Sequence, residues 1–288
     1  MIAPVGFHRA ESVEEACAIL QESDDARIVS GGTALSILMR QRLVRPELLV
    51  GIKTIPRLRE IEANGVLRLG AAVPVRVAEQ HPAVLQRWPL VAETLRQVAT
   101  PRIRNMATIG GGLAHADPNQ DPPPMFVALN AQILVASASG QRSIPAADFF
   151  VDYYETALNE GEIVVGVDVP GTAPGGAGTF LKYTPRSVDD YATVSAAAVV
   201  QLDTNGKCQD ARLVLGACGV TPVVVPVADA LVGEQITESS ARAAAELARA
   251  LVDPTEDVRG SSDYKRDMAV VFGRRALLAA AERCRTGR

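Results

Sequence analysis

Ala107-Thr108-Ile109-Gly110-Gly111-Gly112-Leu113-Ala114 is the stretch whose reading decides the fold, together with its earlier counterpart Ser30-Gly31-Gly32-Thr33-Ala34-Leu35. Each follows an apolar or β-favouring run, and each lacks the side chains that would keep a ligand away from successive backbone N–H groups. One such cradle suits a mononucleotide. Two suit a dinucleotide whose pyrophosphate sits between them while its ring systems run outward in opposite directions. The other reading is a pair of tight turns, because Gly-Gly is ordinary turn punctuation. Neither standard nucleotide fingerprint is present: there is no G-x-x-x-x-G-K-[ST], and the glycine that G-x-G-x-x-G needs after Gly110 and Gly112 falls on His115. A dinucleotide held here is held by another architecture.

Around the first loop the chain reads as helix, strand, loop, helix, strand. Ser12 with Glu15 forms a capping box ahead of Ala16, Ile19 and Leu20, and Ala26–Val29 reads as a strand. A helix restarts over Thr33–Arg40, directly after the glycine pair, where its N-terminus adds free N–H groups to an anion site. Leu48–Val50 closes this unit, residues 1–55. The second unit, 56–170, opens with a hairpin turned at Asn64-Gly65 and continues through helices near Val75–Glu79 and Leu90–Val98 to the second loop. A short helix over Asp121–Leu129 and strands at Gln132–Ala138 and Glu162–Val169 complete it as α+β. Residues 171–178, rich in Gly and Pro, read as a linker. Beyond it, 179–288 shows three strands, Thr179–Tyr183, Ala192–Leu202 and Cys208–Gly216, with helices over Ala228–Leu231, Ser239–Leu251 and Ser262–Cys284.

The 288 residues, 48% hydrophobic and 22% charged, suffice for two domains and a substantial core. A net charge of −4 with scattered basic residues offers no footprint for nucleic acid. The start, Met1-Ile2-Ala3-Pro4-Val5-Gly6-Phe7-His8-Arg9, shows no secretory signal, no stretch approaches the length of a membrane span, and a cytoplasmic location is expected. Cys17, Cys208, Cys218 and Cys284 are widely spaced, so neither a zinc nor an iron–sulfur site is legible. None of the three histidines pairs with an acid in a triad-like pattern. No catalytic or metal-binding residue is therefore assigned.

Four motifs in order carry a family resemblance across nearly the whole chain. Ile103–Gly111, followed by Ala116-Asp117-Pro118 and Asp121, resembles the second flavin loop of the FAD-binding medium subunits of molybdenum hydroxylases. The loop at Ser30–Leu35 resembles their A-G-G-T/H-[DS]-L element. Asp190-Tyr191-Ala192-Thr193 is similar to the segment they place over the flavin, and Gly216-Ala217-Cys218-Gly219-Val220-Thr221-Pro222 to their G-x-x-G/A-x-x-P element. The resemblance implies an α+β protein: a PCMH-type FAD-binding fold of two α/β subdomains, then a C-terminal domain with a three-stranded antiparallel sheet and a helical bundle. The resemblance points to the medium subunits of aerobic carbon monoxide dehydrogenase and of bacterial xanthine and N-heterocycle dehydrogenases.

By that resemblance the backbone amides of Ser30, Gly31, Gly32, Thr33, Ala34, Gly110, Gly111 and Gly112 hold the pyrophosphate of a non-covalent FAD, Leu35 completes the first loop, and Thr108 offers a hydroxyl. Asp121 contacts the cofactor's sugar region; the residues alone equally allow it to cap the helix beginning at Pro122. Lys182 lies near the pyrimidine side of the flavin, where a cation favours negative charge on reduction, although composition alone reads it as an exposed strand residue. Tyr191 gates the ring edge or, read without the family, packs in the core. Two departures stand out: Ala34-Leu35-Ser36 where many relatives carry Asp or Ser before the Leu, and Gly112 where Asn or Ser is common. Neither removes a backbone amide.

The implied function is electron transfer from [2Fe-2S] clusters of a small partner subunit, through FAD, to an external acceptor. The substrate is oxidised at a molybdenum–cytosine dinucleotide in a large subunit, and a dimer of heterotrimers is expected. Two rivals stay open: a stand-alone FAD-dependent reductase or oxidase of the same superfamily, and a flavin-free scaffold or nucleotide-binding regulatory subunit.

Overall fold

A computed structural model describes residues 5–287; Met1–Pro4 of the first expected unit and Arg288 of the last lie outside the described residues. From the N-terminus, β1 (Gly6–Arg9), α1 (Val13–Glu22), β2 (Ala26–Val29), α2 (Leu35–Arg40) and β3 (Leu48–Gly51) form the first unit. Its sheet is parallel, in the order β1-β3-β2, with Phe7 opposite Leu49 and Ile28 opposite Val50. The Gly-Phe-His-Arg of β1 has no apolar alternation by which a strand could be read. Ser12 caps α1, its hydroxyl accepting from Glu15 N at 3.1 Å, but the Glu15 carboxylate reaches back to Glu11 N rather than to Ser12.

The second unit runs through the hairpin β4 (Ile61–Asn64) and β5 (Val66–Gly70), then α3 (Val75–Gln80), α4 (Pro82–Arg87), α5 (Pro89–Arg96), α6 (Pro101–Arg104), α7 (Ile109–His115) and α8 (Pro122–Ala128). Proline opens α4, α5, α6 and α8, where its missing N–H removes nothing a helix uses. The chain continues as β6 (Gln132–Ser137), β7 (Gly140–Pro145), α9 (Ala146–Phe149), β8 (Phe150–Asp152), β9 (Glu155–Thr156) and β10 (Ile163–Pro170). An antiparallel sheet in the order β4-β5-β10-β6-β7 organises the unit. Gly65, at φ +84°, makes the expected turn.

The last unit contains β11 (Gly176–Tyr183), β12 (Val194–Leu202), β13 (Cys208–Gly216), β14 (Val223–Val225), α10 (Ala228–Leu231), α11 (Glu238–Glu246) and α12 (Ser262–Thr286). Its sheet has four antiparallel strands in chain order, one more than expected. The addition, Val223-Val224-Val225, is confined between Pro222 and Pro226 and is too short for a period to show. β11 starts at Gly176, inside the stretch expected as linker.

Strand alternation explains how this sheet serves the rest of the molecule. Phe180, Ala197 and Val199 belong to the core shared with the two earlier units, whereas Ala196, Ala198 and Val200 join the core beneath α11 and α12. β12 is thus apolar on both faces, which is why it reads as an unbroken Ala/Val run. Lys182 and Ser195, directly opposite each other in the β11–β12 ladder, share the parity of Phe180 and Ala197 and so face the earlier units.

Candidate functional site

Strand β2 delivers Ser30 to the first glycine loop. Among the described residues the amides of Gly31, Gly32, Thr33, Ala34 and Leu35 enter no backbone hydrogen bond; the first such bonds of this turn come from Ser36 N to Gly32 O and Leu38 N to Ala34 O. Ala34 stands at the N-cap of α2 with no side-chain acceptor, so nothing internal competes for these donors. Ser30 Oγ is buried and also unpartnered. Gly32 adopts φ +70°, the left-handed geometry that turns the chain into α2.

The second loop is built differently. Thr108 is the N-cap of α7, its Oγ1 accepting from Gly111 N at 3.3 Å. Gly110 N donates to Ala71 O (2.9 Å) and Gly112 N to Thr108 O (3.0 Å). All three amides at Gly110, Gly111 and Gly112, expected to hold a pyrophosphate, thus have acceptors within the chain. Among the described residues the Thr108 amide has no acceptor at all, backbone or side chain, and that of Gly111 has only the Thr108 hydroxyl. Glycine is needed at 110 for packing, since a Cβ there would lie 2.4 Å from that of Ala71. At Gly111 and Gly112 a Cβ would approach only the Thr108 hydroxyl (2.9 Å) and Gln120 Oε1 (3.1 Å).

The two loops touch. A Cβ on Gly31 would sit 2.2 Å from the carbonyl oxygen of Met106, just ahead of the second loop. That backbone is anchored by buried Arg104, which donates to Val98 O and Ala99 O at 2.8 and 2.7 Å. Its Nε lies 2.8 Å from Glu79 Oε2, too far off axis to count as a hydrogen bond, and Arg76 shares the same carboxylate.

Asp121 and Lys182 meet across the boundary between the second and last units. Lys182 Nζ lies 2.8 Å from Asp121 Oδ2 and donates to Gln97 O at 3.0 Å; the two side chains are 4% and 6% exposed. Lys182 is therefore not the exposed strand residue that composition suggests. Asp121 occupies the N-cap of α8 in helical geometry without a capping bond, which excludes the capping alternative. Burial outweighs the lysine and pushes its carboxyl up to about 6. Its Oδ1 is buried without a partner, as are Thr193 Oγ1 and Ser195 Oγ. Neither hydroxyl was singled out in the sequence, although Thr193 lies in the quoted Asp190–Thr193 motif; the signal for Ser195 was the period-2 parity it shares with Lys182.

Tyr191 stays 47% exposed, which excludes the core-packing alternative. Its pKa is nonetheless raised, first by burial and then by the neighbouring Asp117. Asp117 is itself buried and accepts from Asn119 N at 2.9 Å. His115, its pKa lowered by burial, lies with its ring 5.2 Å from that of Tyr154 and tilted 47° to it. Among the described residues no group of three potential metal ligands exists, and the four cysteines are free.

Five open donors beside a second glycine loop, together with unpartnered carboxylate and hydroxyl oxygens on Asp121, Ser30, Thr193 and Ser195, are chemically suited to an extended phosphorylated ligand bearing sugar hydroxyls. A family model for the FAD binding domain in molybdopterin dehydrogenase matches residues 3–172. The chain belongs to this family of flavoprotein subunits. A model for the CO dehydrogenase flavoprotein C-terminal domain matches residues 179–280. The flavoprotein subunit is 35% identical over 283 residues to the carbon monoxide dehydrogenase medium chain of Hydrogenophaga pseudoflava, covering 96% of this chain and 97% of that one. It is 34% identical over 279 residues to the 6-hydroxypseudooxynicotine dehydrogenase complex subunit alpha of Paenarthrobacter nicotinovorans, covering 96% and 94%. The solved carbon monoxide dehydrogenase from Hydrogenophaga pseudoflava, lacking the Mo-pyranopterin moiety of its cofactor, matches with a TM-score of 0.94 at 36% identity, over 99% of this chain and 100% of that chain. The chain is thus an FAD-binding oxidoreductase subunit of the molybdenum hydroxylase kind, a component of multi-subunit enzymes.

Proposed function

We propose that this subunit holds a non-covalent FAD between the iron–sulfur clusters of a small partner and an external electron acceptor, while a large molybdenum-bearing partner oxidises the substrate. The observation that carries the reading is the row of open amides at Gly31–Leu35 set against Met106, with buried unpartnered oxygens on Ser30 and Asp121 nearby. FAD fits it: the amides would take the pyrophosphate, with the Thr108 amide and the adjacent backbone of Gly110–Gly112 forming the opposite wall. Asp121 Oδ1 would accept from a sugar hydroxyl, and Lys182, steadied by Asp121, would stand at the pyrimidine side. When bound, FAD supplies a carrier that takes up electrons and passes them on. Tyr191, with its ring exposed, would cover the edge through which acceptors approach.

The same reading divides the chain into 1–55 and 56–170 as the flavin-binding subdomains and 179–288 as the C-terminal domain, with 171–178 between them. It is supported by family matches that end at residue 172 and begin again at 179. The assembly would be a dimer of heterotrimers. Free cysteines suit the reducing cytoplasm, and among the described residues no helix is long and apolar enough to cross a membrane.

The test is to purify the complex with its natural partners and record its absorbance. Bands near about 370 and 450 nm, released into solution by acid, are expected of a non-covalent flavin. A colourless complex, or one containing neither iron nor molybdenum, would contradict the proposal.

A further inference from the structure

The segment from Thr255 to Gly260 is a closed turn in which Asp257 N donates to Gly260 O at 3.2 Å and Gly260 N to Asp257 O at 3.1 Å. Buried Lys265, from the first turn of α12, locks it: Nζ lies 2.8 Å from Asp257 Oδ1 and donates to Thr255 O at 2.7 Å. The other Asp257 oxygen accepts from Arg259 Nη1 at 2.8 Å, and Arg259 N donates to Oδ1 at 2.8 Å. The guanidinium so fixed stands 5.8 Å from the centre of the Tyr191 ring. Arg259 Nε is buried without a hydrogen-bond partner, and an aromatic face is the environment in which a guanidinium tolerates that. Within the Tyr191 loop itself the Arg186–Asp190 contact is 3.6 Å long and exposed, so the loop's own ion pair does little to fix the ring, which has Asp117 and Arg259 as neighbours.

We propose that Arg259 is a positioning residue, which holds the Tyr191 ring across the flavin edge through a cation–π contact and so sets acceptor access from the C-terminal domain. The inference rests on the gating role proposed above for Tyr191. Because Arg259 is fixed by Asp257 and Lys265, the ring is held against a rigid support.

The test compares Arg259→Met, Arg259→Lys, Tyr191→Ala and the Arg259→Met/Tyr191→Ala double variant in the intact complex. The readouts are FAD content, hydrogen–deuterium exchange over residues 186–193, and kcat/KM with oxygen and with a one-electron dye. Arg259→Met is expected to keep its FAD, raise exchange about two- to fivefold and raise kcat/KM with the dye by a similar factor. Arg259→Lys is expected to restore part of both, and in the Tyr191→Ala background Arg259→Met should change kcat/KM no further. Should Arg259→Met fail to assemble, Arg259→Gln is read in the same way. Wild-type exchange and kinetics in the Arg259 variants, or an undiminished Arg259→Met effect in the double variant, would overturn the proposal. If Tyr191→Ala alone leaves acceptor kinetics unchanged, the gating role fails and takes the positioning role with it. If Tyr191→Ala acts and Arg259→Met does not, only the positioning role fails.

Discussion

The two glycine loops look alike as strings and differ as structures. At Gly31–Leu35 the backbone leaves a run of donors open, whereas at Gly110–Gly112 every amide already has an acceptor. In the first loop the missing side chain at Gly31 lets the chain lie against the Met106 carbonyl, and Gly32 supplies the left-handed turn; in the second the missing side chain at Gly110 lets α7 lie against Ala71. The same residue type thus answers two demands, and only the partners of the amides tell them apart.

Substitutions that test packing should have the largest effect. In Gly31→Ala the new Cβ meets a backbone carbonyl that cannot rotate away, and a loss of about 3 kcal/mol is expected, together with FAD. Gly110→Ala drives a methyl into Ala71 and should lower stability by about 2 kcal/mol, with FAD lost only as the fold is lost. Denaturant titration followed in parallel by flavin and by backbone signals separates the two cases. Equal, small effects at both positions would erase the contrast.

Gly111→Ala sharpens it. The chain's own obstacle is a rotatable Thr108 hydroxyl, so the stability loss should be no more than that of a weakened cap, about 1 kcal/mol. Any much larger fall in FAD affinity would then mark a ligand against this wall. Gly32 is a poorer probe, because φ +70° strains any side chain placed there.

Asp121 adds a pH test. Its folded pKa of about 6 is raised, so the stability it contributes is present below the ordinary Asp range and is lost as pH rises through about 6 in the flavin-free protein. A sugar hydroxyl donating to Oδ1 favours the ionised carboxylate, so FAD should bind more tightly at pH 7 than at pH 5. Titration of flavin into depleted complex at both pH values checks this, and equal affinities would remove Asp121 from the site. Ser30→Ala, the mildest change, deletes an unpartnered oxygen: stability should hold while FAD affinity falls about fivefold, the worth of one hydrogen bond.

The glycine strings, the Asn64-Gly65 turn and the helix start at Pro122 were legible because each is a local demand on φ or on an N–H, whereas the helices opening at Pro82 and Pro101 are too short to show a period. What the glycines face was not: Met106 and Ala71 come into contact only after the sheets assemble. β14 was hidden by its length and by flanking prolines, and β7 by its polar edge position. Asp121 showed its residue type but not its partner, because Lys182 reaches it only through the parity of a strand in another unit. Arg259 gave no signal at all, since its relation to Tyr191 exists only in three dimensions.

Amide hydrogen exchange, resolved residue by residue with and without FAD, tests the contrast between the loops most directly. Protection is expected to appear at Gly31–Leu35 on binding, while Gly110 and Gly112, already hydrogen-bonded, change little. Unaltered exchange at Gly31–Leu35, with new protection confined to Gly110–Gly112, would contradict it.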